Sequence, residues 1–341
     1  MYIKILPLIL IIFYSITLNA ENKNDSLTIL EKTKTFGAIY TDFYYGLNNN
    51  STPKSAFGLS TALVGFKTDF SKKVSTILIY DVTRTTNAFE VTDTSGNILN
   101  VSYFEGSKYT AFLKMAEIKW NINNNMDFSV GQLLNSQYLT LQDKFWKHRY
   151  VMVTFQEAYR FGMPADFGAR FHFSFFNKKL NYYIAAFNGE GPFRYQDNNG
   201  KFLFANNIEY YPTNNIILKF YMGTEQPQTK NDKLKNIYSG FIAYKTKKFR
   251  AGIEYNYVSN YNFSGIDYSG YSIYGMYDIL TNIEIFGRYD YIKQATNIQN
   301  SSLYIAGLQY KPVKNLSIGL NFRQTIPNNE PRIYASFGVK F

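Results

Sequence analysis

From Thr33 onward the apolar residues recur at every second position. Between Asn282 and Tyr291, Ile283, Ile285, Gly287, Tyr289 and Tyr291 share one face, while Glu284, Phe286, Arg288 and Asp290 share the other. Residues 315–323 and Phe249 to Tyr257 repeat the pattern. The chain ends on Ile333, Ala335, Phe337, Val339 and Phe341 set against Arg332, Tyr334, Ser336, Gly338 and Lys340. A helical period would scatter these residues around a cylinder, so each segment is predicted as a strand with one apolar and one polar face. Sixteen such segments follow: 34–47, 57–70, 73–90, 109–120, 126–134, 166–176, 180–190, 201–211, 216–224, 236–245, 248–259, 267–278, 282–294, 302–311, 315–326 and 331–341.

The connectors sort the strands into pairs. Those after even-numbered strands are short, as at Ser71-Lys72 and Thr246-Lys247; those after odd-numbered strands are mostly longer, as at 91–108, 135–165, 191–200 and 225–235. An even strand count with tight turns at one end and long loops at the other is the pattern of a barrel spanning an outer membrane. A soluble sandwich also alternates, but its apolar face points inward. The N-terminus favours the barrel: Met1 to Ala20 reads as a cleavable secretory signal, with Lys4 ahead of an apolar Ile5 to Ile16. Aromatic pairs near strand ends, Tyr44-Tyr45, Tyr182-Tyr183 and Tyr210-Tyr211, suit girdles at two membrane interfaces. The expected fold is therefore all-β: a 16-stranded antiparallel transmembrane barrel over 34–341, with a long inward-folded third loop. A signal (1–20) and a short periplasmic segment (21–33) precede it, and the expected location is the outer membrane of a Gram-negative bacterium.

Composition narrows the chemistry. The 341 residues hold 36 Lys+Arg against 25 Asp+Glu and no Cys, which excludes disulfides, thiolate metal sites and cysteine nucleophiles. With His148 and His172 as the two histidines, a multi-histidine metal centre is not expected, and no cofactor is implied. An apolar share of 45% and an aromatic share of 18% exclude a disordered chain. No phosphate loop or nucleophile elbow is present, and His172, between Phe171 and Phe173, reads as a hydrogen-bonded lumen residue, so an enzyme is not expected. The basic residues are spread over the barrel, which argues against nucleic acid as a partner.

Sixteen strands enclose a space that wall side chains cannot fill, so a water-filled channel is expected. The connector Asn135 to Ala165 is long enough to narrow it. It carries Lys144, Lys147, Arg149 and Arg160, and Val151 to Phe155 is apolar enough to sit against the wall. Gly131-Gln132, then Trp146 and Arg149, then Pro164-Ala165-Asp166-Phe167-Gly168 entering a strand, resemble the phosphate-selective porin O and P family. The resemblance implies a sixteen-stranded homotrimer whose third loop folds inward and whose lumen attracts anions, with Arg149 and Arg160 near the constriction.

Strand parity places Lys67, Lys114, Arg170, Lys219, Lys245, Arg250, Arg288, Arg323, Arg332 and Lys340 in the lumen. Against them stand Asp42, Asp81, Asp127, Glu209, Glu254, Glu284 and Asp290, with Arg288 expected to pair with Glu284 or Asp290. The candidate anion-attracting residues are Lys144, Lys147, Arg149, Arg160 and Arg170; Arg250, Arg288, Arg323, Glu284 and Asp290 are candidate wall charges. The slight positive excess predicts a mild anion preference, with small anionic or neutral solutes passing through and lipid and lipopolysaccharide outside. The second reading is an adhesin using polar loops such as Gly191 to Tyr195 and Asn256 to Phe263. Near Ala116 the alternation slips, leaving Glu117 and Lys119 toward lipid unless a bulge restores the register.

Overall fold

The computed structural model describes residues 28–92, 98–137, 141–192, 200–227, 233–294, 300–327 and 330–341. The proposed signal lies outside them. The first half of the strands comprises β1 (Thr33–Gly46), β2 (Ser55–Asp69), β3 (Val74–Thr92), β4 (Ile98–Asn123), β5 (Met126–Leu134), β6 (Ala165–Phe175), β7 (Leu180–Phe187) and β8 (Leu203–Tyr210). The second half comprises β9 (Ile216–Glu225), β10 (Lys235–Lys245), β11 (Phe249–Tyr261), β12 (Ile266–Leu280), β13 (Ile283–Gln294), β14 (Asn300–Val313), β15 (Leu316–Ile326) and β16 (Arg332–Lys340).

Each strand pairs antiparallel with its chain neighbours, and β16 closes on β1 from Ala38↔Lys340 to Gly46↔Arg332. Phe341 finishes the seam: its N–H donates to the Gly37 carbonyl at 3.0 Å, and its carbonyl accepts the Gly37 N–H at 2.8 Å. Closure leaves no unpaired edge around the ring, the condition for crossing a bilayer with strands. The outward side chains include Ile118, Ile242, Ile253, Tyr255 and Leu320, each roughly half exposed or more. An apolar belt of this extent suits hydrocarbon and not water.

Two sequence expectations need correction. The stretch 91–108 is not a long loop, because β3 and β4 pair with each other as far as Thr92↔Ile98. The β2 partner of β3 ends at Tyr80 and the β5 partner of β4 begins at Ala116, so the far part of this hairpin is a ribbon paired only with itself. Asn256 to Tyr261, read as loop, is the end of β11.

The slip near Ala116 is a bulge. Ile79 faces Met115 and the next residue, Tyr80, faces Leu113, so Lys114 is the extra residue. The bulge turns Glu117 inward, where it is buried, and puts Lys119 on the same face. The Gln132 Nε2 donates to the Leu113 carbonyl at 2.6 Å, tying the bulged strand to β5. Beside it Gly131 has φ +119°, and a Cβ there would collide with the Ala116 carbonyl. Gly131→Ala is therefore expected to destabilise the barrel by about 1–3 kcal/mol. Urea unfolding of the refolded protein measures this, and an unshifted midpoint would refute it.

Candidate functional site

The connector between β5 and β6 enters the lumen and carries two short helices, α1 (Leu141–Trp146) and α2 (Phe155–Ala158). Apolar side chains hold it there in two clusters. In the first, Phe145, Trp146, Tyr150 and Val151 pack on Ile217, Phe241, Tyr274, Met276, Phe286 and Ile305 of the wall. In the second, Phe155 and Phe161 pack on Phe187, Tyr221, Ile237 and Val258. Val151 to Phe155 does lie against the wall, as the sequence suggested. The inner face from β7 to β14 is thus partly apolar, and the loop covers it.

Polar contacts fix the same loop. The Trp146 Nε1 donates to the Met152 carbonyl at 2.9 Å, closing the turn between them. Tyr150 donates its hydroxyl to Gln309 at 3.1 Å, with its ring over Gly338, where a side chain would clash. Lys219, buried, donates to the Gln137 carbonyl and to Gln142 Oε1, each at 2.7 Å. His148 is buried between Trp146 and Phe286, stacked 4.2 Å from the latter, with Nε2 2.7 Å from Glu284 Oε1. Burial holds the His148 pKa below its ordinary value, against the opposing pull of Glu284, so the ring is neutral at pH 7. It acts as an anchor of the loop.

Three of the wall arginines are paired with carboxylates, and the fourth, Arg323, rests on neutral groups. Arg250 donates to Glu284 Oε2 at 2.6 Å and also to the Phe145 carbonyl. Arg288 takes Asp290, at 2.6 and 2.8 Å, and donates to the Val153 carbonyl at 2.6 Å. Of the two partners expected for Arg288, Asp290 is the one engaged. Arg170 reaches Glu117 at 3.2 Å, a carboxylate that uncorrected parity sent to lipid. Arg323 lies 3.7 Å over the Tyr334 ring and donates to Asn321 at 2.7 Å and Ser336 at 3.0 Å.

Arg149 makes a two-pronged contact with Glu157, both bonds 2.7 Å, and a third to Asp143 at 3.3 Å. Burial by itself would lower its pKa; Asp143 and Glu157 outweigh that and raise it above the ordinary arginine value. Arg149 therefore braces the loop as well as facing the lumen. Arg160, Lys144 and Lys147 are exposed, with no carboxylate within ion-pair distance among the described residues.

The loop leaves two openings. One, of about 570 Å³, lies toward the long-loop end between the loop and β1 to β4. Lys114, Arg149, Arg160 and Arg323 line it opposite Asp42, Asp81 and Glu157. The other, of about 440 Å³, lies at the short-turn end and is lined by Lys119, Lys144, Arg170 and Lys178 opposite Asp127 and Glu209. Arg149 faces the first, and Lys144, next in sequence to its partner Asp143, faces the second. Lys147 lines neither. His172 lines the second opening, bonded to Asp127 at 2.8 Å and Asn181 at 3.1 Å and stacked 4.4 Å from Tyr183.

No family model matches the chain, and no curated protein does. Solved structures do. The chain resembles the outer membrane channel DcaP of Acinetobacter baumannii at 14% identity and a TM-score of 0.59, covering 91% of this chain and 97% of that one. It resembles OmpT, an outer membrane protein of Vibrio cholerae, in its trimer form, at 8% identity and TM-score 0.61, over 91% and 99% of the two chains. A mutant of Rh. blastica porin matches at 12% identity and TM-score 0.58, over 91% and 100%. The fold is that of the outer-membrane porins. At these identities the likeness concerns the barrel and not the side chains in its lumen.

Proposed function

We propose that this chain is an outer-membrane porin that passes small hydrophilic solutes by diffusion, with a mild preference for anions. The observation that carries the reading is the pair of openings left beside the inserted loop, each lined by more cations than carboxylates. In the long-loop opening, Lys114 is matched to Asp81 at 2.7 Å and Arg149 to Glu157, which leaves Arg160 and Arg323 against a single carboxylate, Asp42, and so a net positive charge facing solute. Arginines near a narrow point favour anions when no carboxylate cancels them.

Export through Met1 to Ala20 and residence in the outer membrane of a Gram-negative bacterium belong to the same reading, supported by the apolar belt and the porin fold. A homotrimer is in keeping with the trimeric form of the Vibrio cholerae neighbour. Phosphate as the preferred anion rests on the resemblance of the loop motif, and contact with lipopolysaccharide on the basic charge. The ribbon formed by β3 and β4 favours an added role in binding external partners, compatible with a channel.

Arg160→Gln with Arg323→Gln is expected to bring the anion-to-cation permeability ratio down toward unity, by roughly twofold. Reversal potentials of the reconstituted protein across a KCl gradient measure it. An unchanged potential would remove these two arginines from the selectivity mechanism.

A further inference from the structure

The short-turn end of the barrel carries a charged rim outside its lumen. Three of the hairpin turns there hold adjacent lysines: Lys72-Lys73 between β2 and β3, Lys178-Lys179 between β6 and β7, and Lys247-Lys248 between β10 and β11. Lys314 stands in the turn between β14 and β15. The intervening turns are neutral, with Asn124-Asn125, Thr213 to Asn215 and Thr281-Asn282. Lysine thus recurs at every fourth strand around the ring. All of these lysines are exposed, and none has a carboxylate within ion-pair distance among the described residues. The carboxylates of this end are engaged elsewhere: Asp69 is met by Lys67 at 3.3 Å, and Glu31 is held by Thr28. Asp127, Glu209, Asp278 and Glu284 stand on the inward face.

The outward face is apolar right up to these turns. Near the ends of alternate strands it exposes aromatic rings: Phe175 on β6, Tyr210 on β8, Tyr244 on β10, Tyr277 on β12 and Tyr310 on β14. An exposed apolar residue also adjoins each lysine turn, namely Phe70, Phe176, Phe249 and Val313. Aromatic rings mark the level where hydrocarbon meets headgroups, and a lysine beside them lays its stem on the apolar edge with its ammonium in the polar layer. Lys178 also lines the lumen opening; the other lysines of these turns line neither opening. Cations spread around the whole circumference match an annulus of lipid, whereas a protein partner would meet one sector of the rim. We propose that the short-turn rim binds anionic phospholipid in the leaflet it faces, each lysine turn meeting the net negative charge of the headgroups beside it. This goes beyond the channel reading and needs only that the barrel sits in a bilayer.

Trp120 reports on one of these turns. It stands opposite Val74, the residue after Lys72-Lys73, on the outward face with Ile118. Trp146, the second tryptophan of the chain, is buried between the inserted loop and the wall. The chain is refolded into phosphatidylcholine vesicles, and its fluorescence is quenched with brominated phosphatidylglycerol or brominated phosphatidylcholine. The native protein is expected to favour phosphatidylglycerol at Trp120 by roughly fivefold, the effect of about one lysine at an anionic surface, and less so at high salt. Lys72→Gln/Lys73→Gln should bring the ratio near unity. Lys247→Gln/Lys248→Gln removes the same charge from the opposite side of the ring and should leave the ratio close to native. Equal losses in the two variants would mean attraction by total charge and overturn binding at the turns. A native ratio of one, with both lipids quenching, overturns the proposal alone, whereas quenching by neither overturns the bilayer placement and the channel reading with it.

Discussion

Alanine at both Trp146 and Phe155 is expected to raise single-channel conductance by at least roughly twofold, because a sixteen-stranded wall without its inserted loop encloses a wide aqueous lumen. Each residue is fully buried in a different cluster, Trp146 against Tyr274 and Phe286 and Phe155 against Phe161. Removing a buried aromatic of this size costs about 3–5 kcal/mol. The two losses fall on the loop and leave the interstrand ladder intact. The barrel should therefore still fold, with a loop that no longer holds its place. Planar-bilayer recording of the purified variant reads the change, together with the open-channel noise that a loosened loop produces. A conductance equal to that of the native chain would show that the loop does not set the width of the path.

Charge swaps at Arg149 should shift selectivity in opposite directions. Glu157→Gln leaves the Arg149 guanidinium with Asp143 at 3.3 Å as its remaining carboxylate, and so adds an under-compensated cation to the long-loop opening. Arg149→Gln frees Glu157 and Asp143 and tips the same opening toward negative charge. The expected reversal potentials therefore move toward anions in the first variant and toward cations in the second, by a few-fold in permeability ratio. Breaking one side of this partly exposed pair also costs about 1–3 kcal/mol. The double variant Arg149→Gln/Glu157→Gln removes both charges and should return near to native selectivity. Shifts of the same sign in both single variants would mean that loop displacement, and not local charge, governs the result.

The strands were readable because lipid and water impose opposite demands on alternate residues, and the observed bounds follow the sequence pattern within a few residues almost everywhere. The exception is informative. Residues 91–108 lack a consistent apolar face, since a ribbon paired only with itself has no lipid side to maintain. The bulge was legible as a break in alternation, because Glu117 and Lys119 could not both face lipid. That the loop enters the lumen was legible from its length and from Val151 to Phe155.

The pairing of its charges was not legible. Arg149 and Glu157 lie eight residues apart in the loop, and only the loop's path brings them together. Nor does the sequence place Lys144 at one end of the lumen and Arg160 toward the other. One missed signal was available, namely apolar residues on the polar face. Phe286 stands among Glu284, Arg288 and Asp290, and Phe241 and Met276 are likewise inward. Apolar residues on both faces of adjacent strands signal that something dry covers the inner wall, and here His148 and Trp146 do so.

The hairpin of β3 and β4 has a use in engineering. Its far part contributes no ladder bonds to β2 or β5, so the ring is complete without it. The Lys114–Asp81 pair stands at its root, where the ribbon leaves the wall. A peptide epitope inserted between Thr92 and Ile98 would leave the strand pairs that close the circumference unchanged. The barrel is in this respect a scaffold for surface display, with a graft site beyond the part of the hairpin that pairs into the closed ring.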